Sequence, residues 1–160
     1  MQRYLMLAIP AALVATTAVH AATSPRDYVM TAGASDLYER QSSQLVADTT
    51  RNAKLRAFVR DMIRDHTKST TLVKQAAMRA RMRVTPPMLT PDQRTMMAQL
   101  RAAHGAERDT LYISQQRTAH DQALALHQDY ARSGSVPSLR TAASQIVPVV
   151  RHHIAMLQSM

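Results

Sequence analysis

Apolar side chains recur every three or four residues along most of the chain, the spacing that places them on one face of an α-helix. Pro, Gly and weak helix formers interrupt this pattern at a few points. The pattern therefore predicts four long helices and one short helix. They run from Pro25 to a turn at Thr49–Asn52, over about 53–83, over about 91–103 for the short helix, and over about 106–132 and 137–158.

Two four-residue patterns mark helix starts, Ser24-Pro25-Arg26-Asp27 and Thr90-Pro91-Asp92-Gln93. Each has a capping hydroxyl, a Pro at the first helical position and a polar side chain three residues after the cap, which together satisfy free N–H groups. Helix ends are predicted at Pro86-Pro87, because a residue before Pro leaves the helical conformation, and at Gly105 and Gly134. Pro148 is expected to kink the last helix.

Each long helix has one apolar stripe with a few polar members. In chain order the stripes are Tyr28, Ala32, Ser35, Glu39, Ser42 and Val46; Leu55, Val59, Met62, His66, Val73 and Ala77; Ile113, His120, Leu124, His127 and Ala131; and Leu139, Ala142, Ile146, Val150, His153 and Leu157. Two helix pairs joined by a crossover near 84–104 predict one all-α domain over 25–158, a ferritin-like four-helix bundle whose long crossover contains a short helix. We expect its core to use Ala, Leu and Met in place of aromatics.

Composition agrees with a single helical domain. The chain has 160 residues, 3 Gly, no Trp and 4% aromatic residues, which argues against a β-sandwich or a Gly-rich nucleotide-binding fold. The absence of Cys excludes disulfides, thiolate zinc sites, iron–sulfur ligation, a cysteine nucleophile and a lipoprotein anchor.

The first 21 residues have the pattern of a signal peptide. Arg3 is followed by an apolar stretch from Leu5 to Val19, and the segment ends on small residues at Ala21 and Ala22. The stretch is short for a membrane-spanning helix, although an uncleaved N-terminal anchor is the alternative. We therefore predict a periplasmic or secreted protein with no transmembrane segment after signal removal.

The chain is basic, with a formal net charge of +9. We interpret the excess Arg as spread along every segment, mostly on solvated helix faces. No basic block with interleaved aromatics is present, so nucleic-acid binding is not expected. An anionic envelope lipid or polysaccharide is the more plausible weak partner.

Four polar residues on the stripes stand out, because an inward carboxylate or imidazole is costly to bury unless it is paired. Glu39, His66, His120 and His153 belong to different long helices. At about 1.5 Å per residue, each is expected near the middle of its helix. We predict that these four side chains meet inside the bundle.

The same residues carry a family resemblance. Ser35-Asp36-Leu37-Tyr38-Glu39, Met62-Ile63-Arg64-Asp65-His66, Tyr112 with His120, and Pro148 with His153 resemble the ferritin-like exported bacterial family called domain of unknown function 4142. The resemblance covers roughly residues 26–158 and implies a helical bundle in the cell envelope, with no established activity. The chain departs from the family at Arg108 and His127, where apolar residues, often Phe, are more usual.

One carboxylate and three imidazoles suit a single zinc or copper ion. We therefore predict a metal site at Glu39, His66, His120 and His153. A di-iron centre is disfavoured, because it needs about four carboxylates and the chain has only two Glu. The alternatives are a metal-free envelope stress or interaction module, in which these four residues form a hydrogen-bond network that fixes helix register, and acid–base catalysis. No nucleophile constellation is present, so a binding or structural module is favoured over an enzyme.

Other polar residues receive separate predictions. His152 is one residue off the stripe and is expected at the surface, and His127 is expected near a bundle end, too far along the helix for the same ion. Asp65 and Asp121 are adjacent to core histidines and would suit outer-sphere partners, but solvated positions are favoured.

Methionines gather around the crossover at Met78, Met82, Met88, Met96 and Met97. Thioethers bind Cu(I), which makes a soft-metal site the rival hypothesis. Gap filling in a core with few aromatics is the simpler interpretation.

Overall fold

The computed structural model describes residues 23–160, which form five helices. These are α1 Pro25–Ala47, α2 Ala53–Arg79, α3 Pro91–Ala102, α4 Gly105–Ser133 and α5 Pro137–Gln158. The predicted signal peptide over residues 1–21 lies outside the described part. Within residues 23–160, no helix is long and apolar enough to cross a membrane.

The predicted helix starts are confirmed by their caps. The Ser24 hydroxyl accepts from the Asp27 amide at the start of α1. Thr90 and Gln93 form a reciprocal capping box at the start of α3. Polar caps therefore fix two of the helix starts locally.

The predicted end of the second long helix at Pro86-Pro87 is wrong, because α2 ends at Arg79. Arg81 adopts a left-handed conformation with φ of 56°, and the Met82 amide donates to the Ala77 carbonyl at 3.0 Å. This bond closes the helix seven residues before the residue pair predicted to stop it. Gly105 likewise begins α4, with φ of 53°, and does not close α3.

Two hydrophobic clusters occupy opposite ends of the bundle. The Tyr28 cluster joins the start of α1, the end of α2, the end of α4 and the first half of α5. The Phe58 cluster joins the end of α1, the start of α2, α3, the start of α4 and the end of α5. Helices α1 and α5 therefore run in one direction and α2 and α4 in the other.

Neighbouring helices in this arrangement are antiparallel, since α1 packs on α2 and α4, and α5 packs on α2 and α4. The crossover with α3 returns the chain along the length of the bundle, from the end of α2 to the start of α4. This is the predicted four-helix bundle with one long connection. It leaves a layer between the two clusters to which all four long helices contribute.

The expectation of a core without aromatics is wrong. Tyr28, Tyr38, Tyr112, Tyr130 and Phe58 are all buried. Hydrogen bonds make this possible for three of the four tyrosines, because a buried phenol needs a polar partner. Tyr28 pairs with His127 at 3.0 Å, Tyr38 donates to Gln115 at 2.8 Å, and Tyr112 pairs with Ser43 at 2.7 Å.

The predicted stripe of the third long helix is also partly wrong. His120 and His127 are buried as predicted, but their buried companions are Tyr112, Ala123 and Tyr130. The predicted Ile113, Leu124 and Ala131 are only partly buried. Each lies one residue after the position that faces the core, so hydropathy alone gave the wrong face at these positions.

Positive charge is concentrated on one helix and not spread evenly as interpreted above. Residues 53–83, which are α2 and its extension, contain nine Lys or Arg and only two Asp, a net of +7. Residues 23–160 as a whole carry +8. All nine basic side chains are exposed, seven on α2 and two, Arg81 and Arg83, on the residues that follow it, and we call this exposed basic surface the α2 face.

Arg108 is a buried cation at the junction of α3 and α4. Its Nε donates to the Leu100 carbonyl at 2.9 Å and the Ala103 carbonyl at 2.8 Å. These carbonyls belong to the end of α3, where helical partners are missing. The Arg108 guanidinium thus supplies hydrogen-bond donors to the free carbonyls at the end of α3.

We expect Arg108→Ala to lower the free energy of unfolding by about 2–3 kcal/mol, because buried carbonyls lose their donor and a cavity forms. Arg101→Ala, at an exposed position on α3, is the matched control and should change it by less than about 0.5 kcal/mol. Urea unfolding followed by circular dichroism measures both. Equal effects of the two substitutions would contradict the capping role.

Candidate metal centre

A polar layer separates the two hydrophobic clusters. Glu39 on α1, His66 on α2, His120 on α4 and His153 on α5 lie in this layer, and all four are buried. Each helix contributes its residue from between the apolar residues that enter the end clusters. The bundle topology therefore brings the four predicted residues to the same level.

The three histidines form a compact group. One ring nitrogen from each of His66, His120 and His153 lies within 4.8 Å of the corresponding nitrogens of the other two. Ring centroids are 5.6 Å apart for His66 and His120, 5.5 Å for His66 and His153, and 5.4 Å for His120 and His153. This is the spacing of imidazoles that share one ion after small adjustments.

An oxygen acceptor orients each imidazole through its other nitrogen. His66 Nδ1 donates to Asp36 Oδ1 at 2.9 Å, and His153 Nε2 donates to Asp65 Oδ2 at 3.1 Å. His120 Nδ1 donates to the Gln116 carbonyl at 2.9 Å. Since these oxygens are acceptors, we assign the protons to those nitrogens, which leaves His66 Nε2, His120 Nε2 and His153 Nδ1 with free lone pairs.

Glu39 lies beside this group and outside it. Its Oε1 is 3.9 Å from His120 Nδ1, the nitrogen that is bonded to Gln116. Among residues 23–160, neither Glu39 carboxylate oxygen has a hydrogen-bond partner. Burial raises the pKa of Glu39 from 4.5 to about 7, although the nearby His66 acts in the opposite direction.

The histidines divide into two electrostatic types. Burial, assisted by repulsion from His66, lowers the pKa of His120 to about 3 and that of His153 to about 4. Burial also acts to lower the pKa of His66, but the hydrogen bond to Asp36 and the charges of Glu39 and Asp36 raise it above its ordinary value. His120 and His153 are therefore neutral at pH 7, which is the state a metal ligand needs.

Sequence reasoning missed Asp36 and misjudged Asp65. Asp36 follows Tyr28 and Ala32 by whole turns and precedes Glu39 by three residues, so helical spacing was a signal that it faces inward. Asp65 was predicted to be solvated, but its side chain reaches from α2 to His153 on α5. Asp121 is exposed, as predicted.

Two further histidines, His152 and His127, lie away from the group. His152 is exposed, as predicted. His127 is buried at the end of the bundle that holds the Tyr28 cluster, where its Nδ1 pairs with the Tyr28 hydroxyl. Burial lowers the pKa of His127 to about 4. His127, one of the two departures from the resemblance described above, is thus the hydrogen-bond partner of the buried Tyr28 hydroxyl.

The crossover methionines do not share one environment. Met78 is 60% exposed and Met88 is 80% exposed, whereas Met97 is 2% exposed in the Phe58 cluster. Met82 packs on the Tyr28 cluster at the other end. The structure therefore gives the rival thioether site little support.

A solved structure shares the fold. The crystal structure of a DUF305 protein from Streptomyces coelicolor, inferred to be secreted, matches with a TM-score of 0.65 and 17% sequence identity. The match covers 86% of this chain and 90% of the other. At this identity the likeness concerns the fold alone.

No curated protein matches the sequence. A family model matches over residues 10–160, a span that includes every helix and every residue of the polar layer. The chain therefore belongs to the family described as Domain of unknown function (DUF4142).

Proposed function

We propose that this protein is an exported bundle that holds one zinc or copper ion through His66, His120 and His153, with Glu39 beside the ion. One observation carries the proposal: one ring nitrogen from each of three buried imidazoles lies within 4.8 Å of the nitrogens of the other two. Each imidazole is held by a separate oxygen acceptor, as is usual for metal-bound histidines.

The donor set supports zinc or copper. Imidazole nitrogen suits both ions, and three such ligands are sufficient for a mononuclear site. A di-iron centre has no support, because Glu107, the only other Glu, is exposed on α4. We therefore propose one ion and no oxidase chemistry of the ferritin type.

The alternative is a metal-free network that fixes helix register. The contact between His120 Nε2 and His153 Nδ1 at 3.3 Å favours it, because a proton on either nitrogen would make this a hydrogen bond. The two functions differ in one respect that is easily measured: only the first predicts that an added ion stabilises the fold.

Protein purified without a histidine tag and refolded with zinc or copper is expected to hold one ion per chain. The double variant His66→Ala with His153→Ala should hold none, because one nitrogen remains of three. Elemental analysis after dialysis measures the stoichiometry. An added ion should also raise the melting temperature of the natural chain. If the natural chain holds no ion, the proposed metal-binding function is contradicted and the metal-free hydrogen-bond network remains.

Asp36→Asn is expected to weaken metal affinity roughly 10–100-fold, because the amide orients the His66 imidazole less well than the carboxylate does. Asp121→Asn is the matched control, since Asp121 is adjacent to His120 but exposed. Competition with a chromogenic chelator measures both affinities. An equal loss in the control would show that the effect is one of net charge.

In the metal-free protein, Glu39→Gln should raise stability at high pH. The unfolded chain releases the Glu39 proton near pH 4.5 and the folded chain near 7, so this group lowers the free energy of unfolding as pH rises between these values. We expect the variant to be more stable by roughly 3 kcal/mol at pH 8 and equally stable near pH 4.5. At intermediate pH the variant also lacks the Glu39 charge that raises the pKa of His66, so the comparison is made at pH 8 and near pH 4.5.

Melting curves recorded in a chelator from pH 4 to 8 test this prediction. Glu107→Gln, an exposed change of the same kind, should show no such trend. A metal-free Glu39→Gln protein that is less stable than the natural chain at pH 8 would contradict it.

We also propose that the α2 face contacts an anionic surface of the envelope. The face carries +7 of the +8 charge of residues 23–160. Lys74, Arg79 and Arg83 are exposed along it. A long row of cations is suited to a flat array of lipid phosphates, and such binding weakens with salt.

Vesicles that contain phosphatidylglycerol should bind the protein at low salt and release it at high salt, whereas phosphatidylcholine vesicles should not bind it. Lys74→Glu with Arg79→Glu should lower binding at least tenfold. Arg101→Glu with Arg151→Glu makes the same net change elsewhere and should have a smaller effect. Cosedimentation measures this. Equal losses of vesicle binding in the two double variants would show that net charge alone determines binding. Binding to an anionic polysaccharide but not to vesicles would favour the other predicted partner.

A further inference from the structure

A cavity of about 240 Å³ lies between α2 and α5, next to the histidine group. Its walls are largely apolar and include Leu72, Ile146, Val149 and Val150. At one end it reaches His66 and Asp65, and from there it extends toward the Tyr28 cluster. Lys68 and Gln145, both exposed, lie at its rim.

Two residues that line the cavity each have a buried polar atom without a hydrogen-bond partner in the described part of the chain. Ser69 is 6% exposed and His66 is 5% exposed, and both residues line the cavity. Among residues 23–160, Ser69 Oγ and His66 Nε2 make no hydrogen bond. Buried polar atoms are rarely left unpaired, so these two atoms point to a ligand or ion that would satisfy them.

An ion bound by the three histidines would have an open coordination position that the cavity could serve. Three histidines leave one position of a tetrahedral ion unfilled, and sites that act on small molecules keep that position open. Among residues 23–160, Glu39 is the carboxylate beside the group that is not paired with a histidine as Asp36 and Asp65 are, and its Oε1 lies 3.9 Å from His120 Nδ1, the nitrogen that is bonded to Gln116.

From this geometry we propose that the cavity admits a small monoanion with a short hydrocarbon body, such as a short-chain carboxylate, to the fourth position of the ion. The inference rests on the proposed metal site. The apolar walls would hold the hydrocarbon, Ser69 Oγ would donate to a carboxylate oxygen, and the Lys68 ammonium at the rim would attract the charge. Asp65 also lines the cavity, but His153 and Arg64 already pair with its oxygens.

The volume is consistent with this class. A dry apolar cavity of about 150 Å³ holds benzene, so a cavity of 240 Å³ has room for a carboxylate with a few carbon atoms. Each buried methylene adds about 0.8 kcal/mol, which makes butyrate, with two more methylenes than acetate, about tenfold tighter. Tighter binding of butyrate than of acetate would therefore show that the anion binds in this cavity, and not only at an open coordination position of the ion.

The experiment uses the full-length protein loaded with Co²⁺ or Cu²⁺, whose visible spectra respond to a change of ligand. Azide, acetate and butyrate are titrated in turn. We expect saturable spectral changes with each anion and butyrate about tenfold tighter than acetate. Val149→Trp, at the exposed edge of the cavity, should remove the preference for butyrate while one ion per chain remains bound.

Ala155→Trp is the matched control, because Ala155 is exposed on the same helix and does not line the cavity. It should bind all three anions like the natural chain. Circular dichroism confirms that both tryptophan variants fold.

The possible failures are distinguishable. If no metal binds, the proposed function falls and this inference falls with it. If one ion binds but azide and the carboxylates leave its spectrum unchanged, the metal site stands and the inference is overturned. Equal affinities for acetate and butyrate, or no effect of Val149→Trp, would also overturn it, because the anion would then reach the ion by another route.

Discussion

The polar layer is governed by the cost of burying ionisable groups. Four buried groups that can carry charge lie between two apolar clusters, and a Leu at each position would pack there at no electrostatic cost. The bundle meets this cost by pairing His66 with Asp36 and His153 with Asp65. These pairs join α2 to α1 and α5 to α2, so they also fix the relative heights of the helices.

Most of the fold was predictable because its signals are local. Ser24 and Thr90 cap their helices through bonds that span three residues, and helical periodicity identifies the inner positions of α2 and α5. The end of α2 was less predictable, since it depends on Arg81 adopting a left-handed backbone that sequence patterns assign to Gly. Tyr38 and Tyr112 were missed because hydropathy undervalues a phenol whose partner lies on another helix.

The candidate site was predictable as a set of residues but not as a coordination geometry. Helical spacing and equal heights identify Glu39, His66, His120 and His153. Which nitrogen faces inward depends on contacts such as Asp65 with His153, which join residues 88 positions apart. Adjacent residues on a helix point about 100° apart, so Asp65 appeared to be solvated until the side of α5 that packs against it was known.

Counting donors favours an ion over a network. The three imidazoles have six nitrogens, and three of them donate to Asp36, Asp65 and the Gln116 carbonyl. The other three then hold lone pairs that face one another, with His120 Nε2 only 3.3 Å from His153 Nδ1. A proton between these two would require an imidazolium, yet burial holds the pKa of both rings at about 3 and about 4. A cation at the centre would satisfy all three lone pairs at once, whereas the imidazolium that the raised pKa of His66 favours protonates His66 Nε2 alone and leaves the other two nitrogens facing each other.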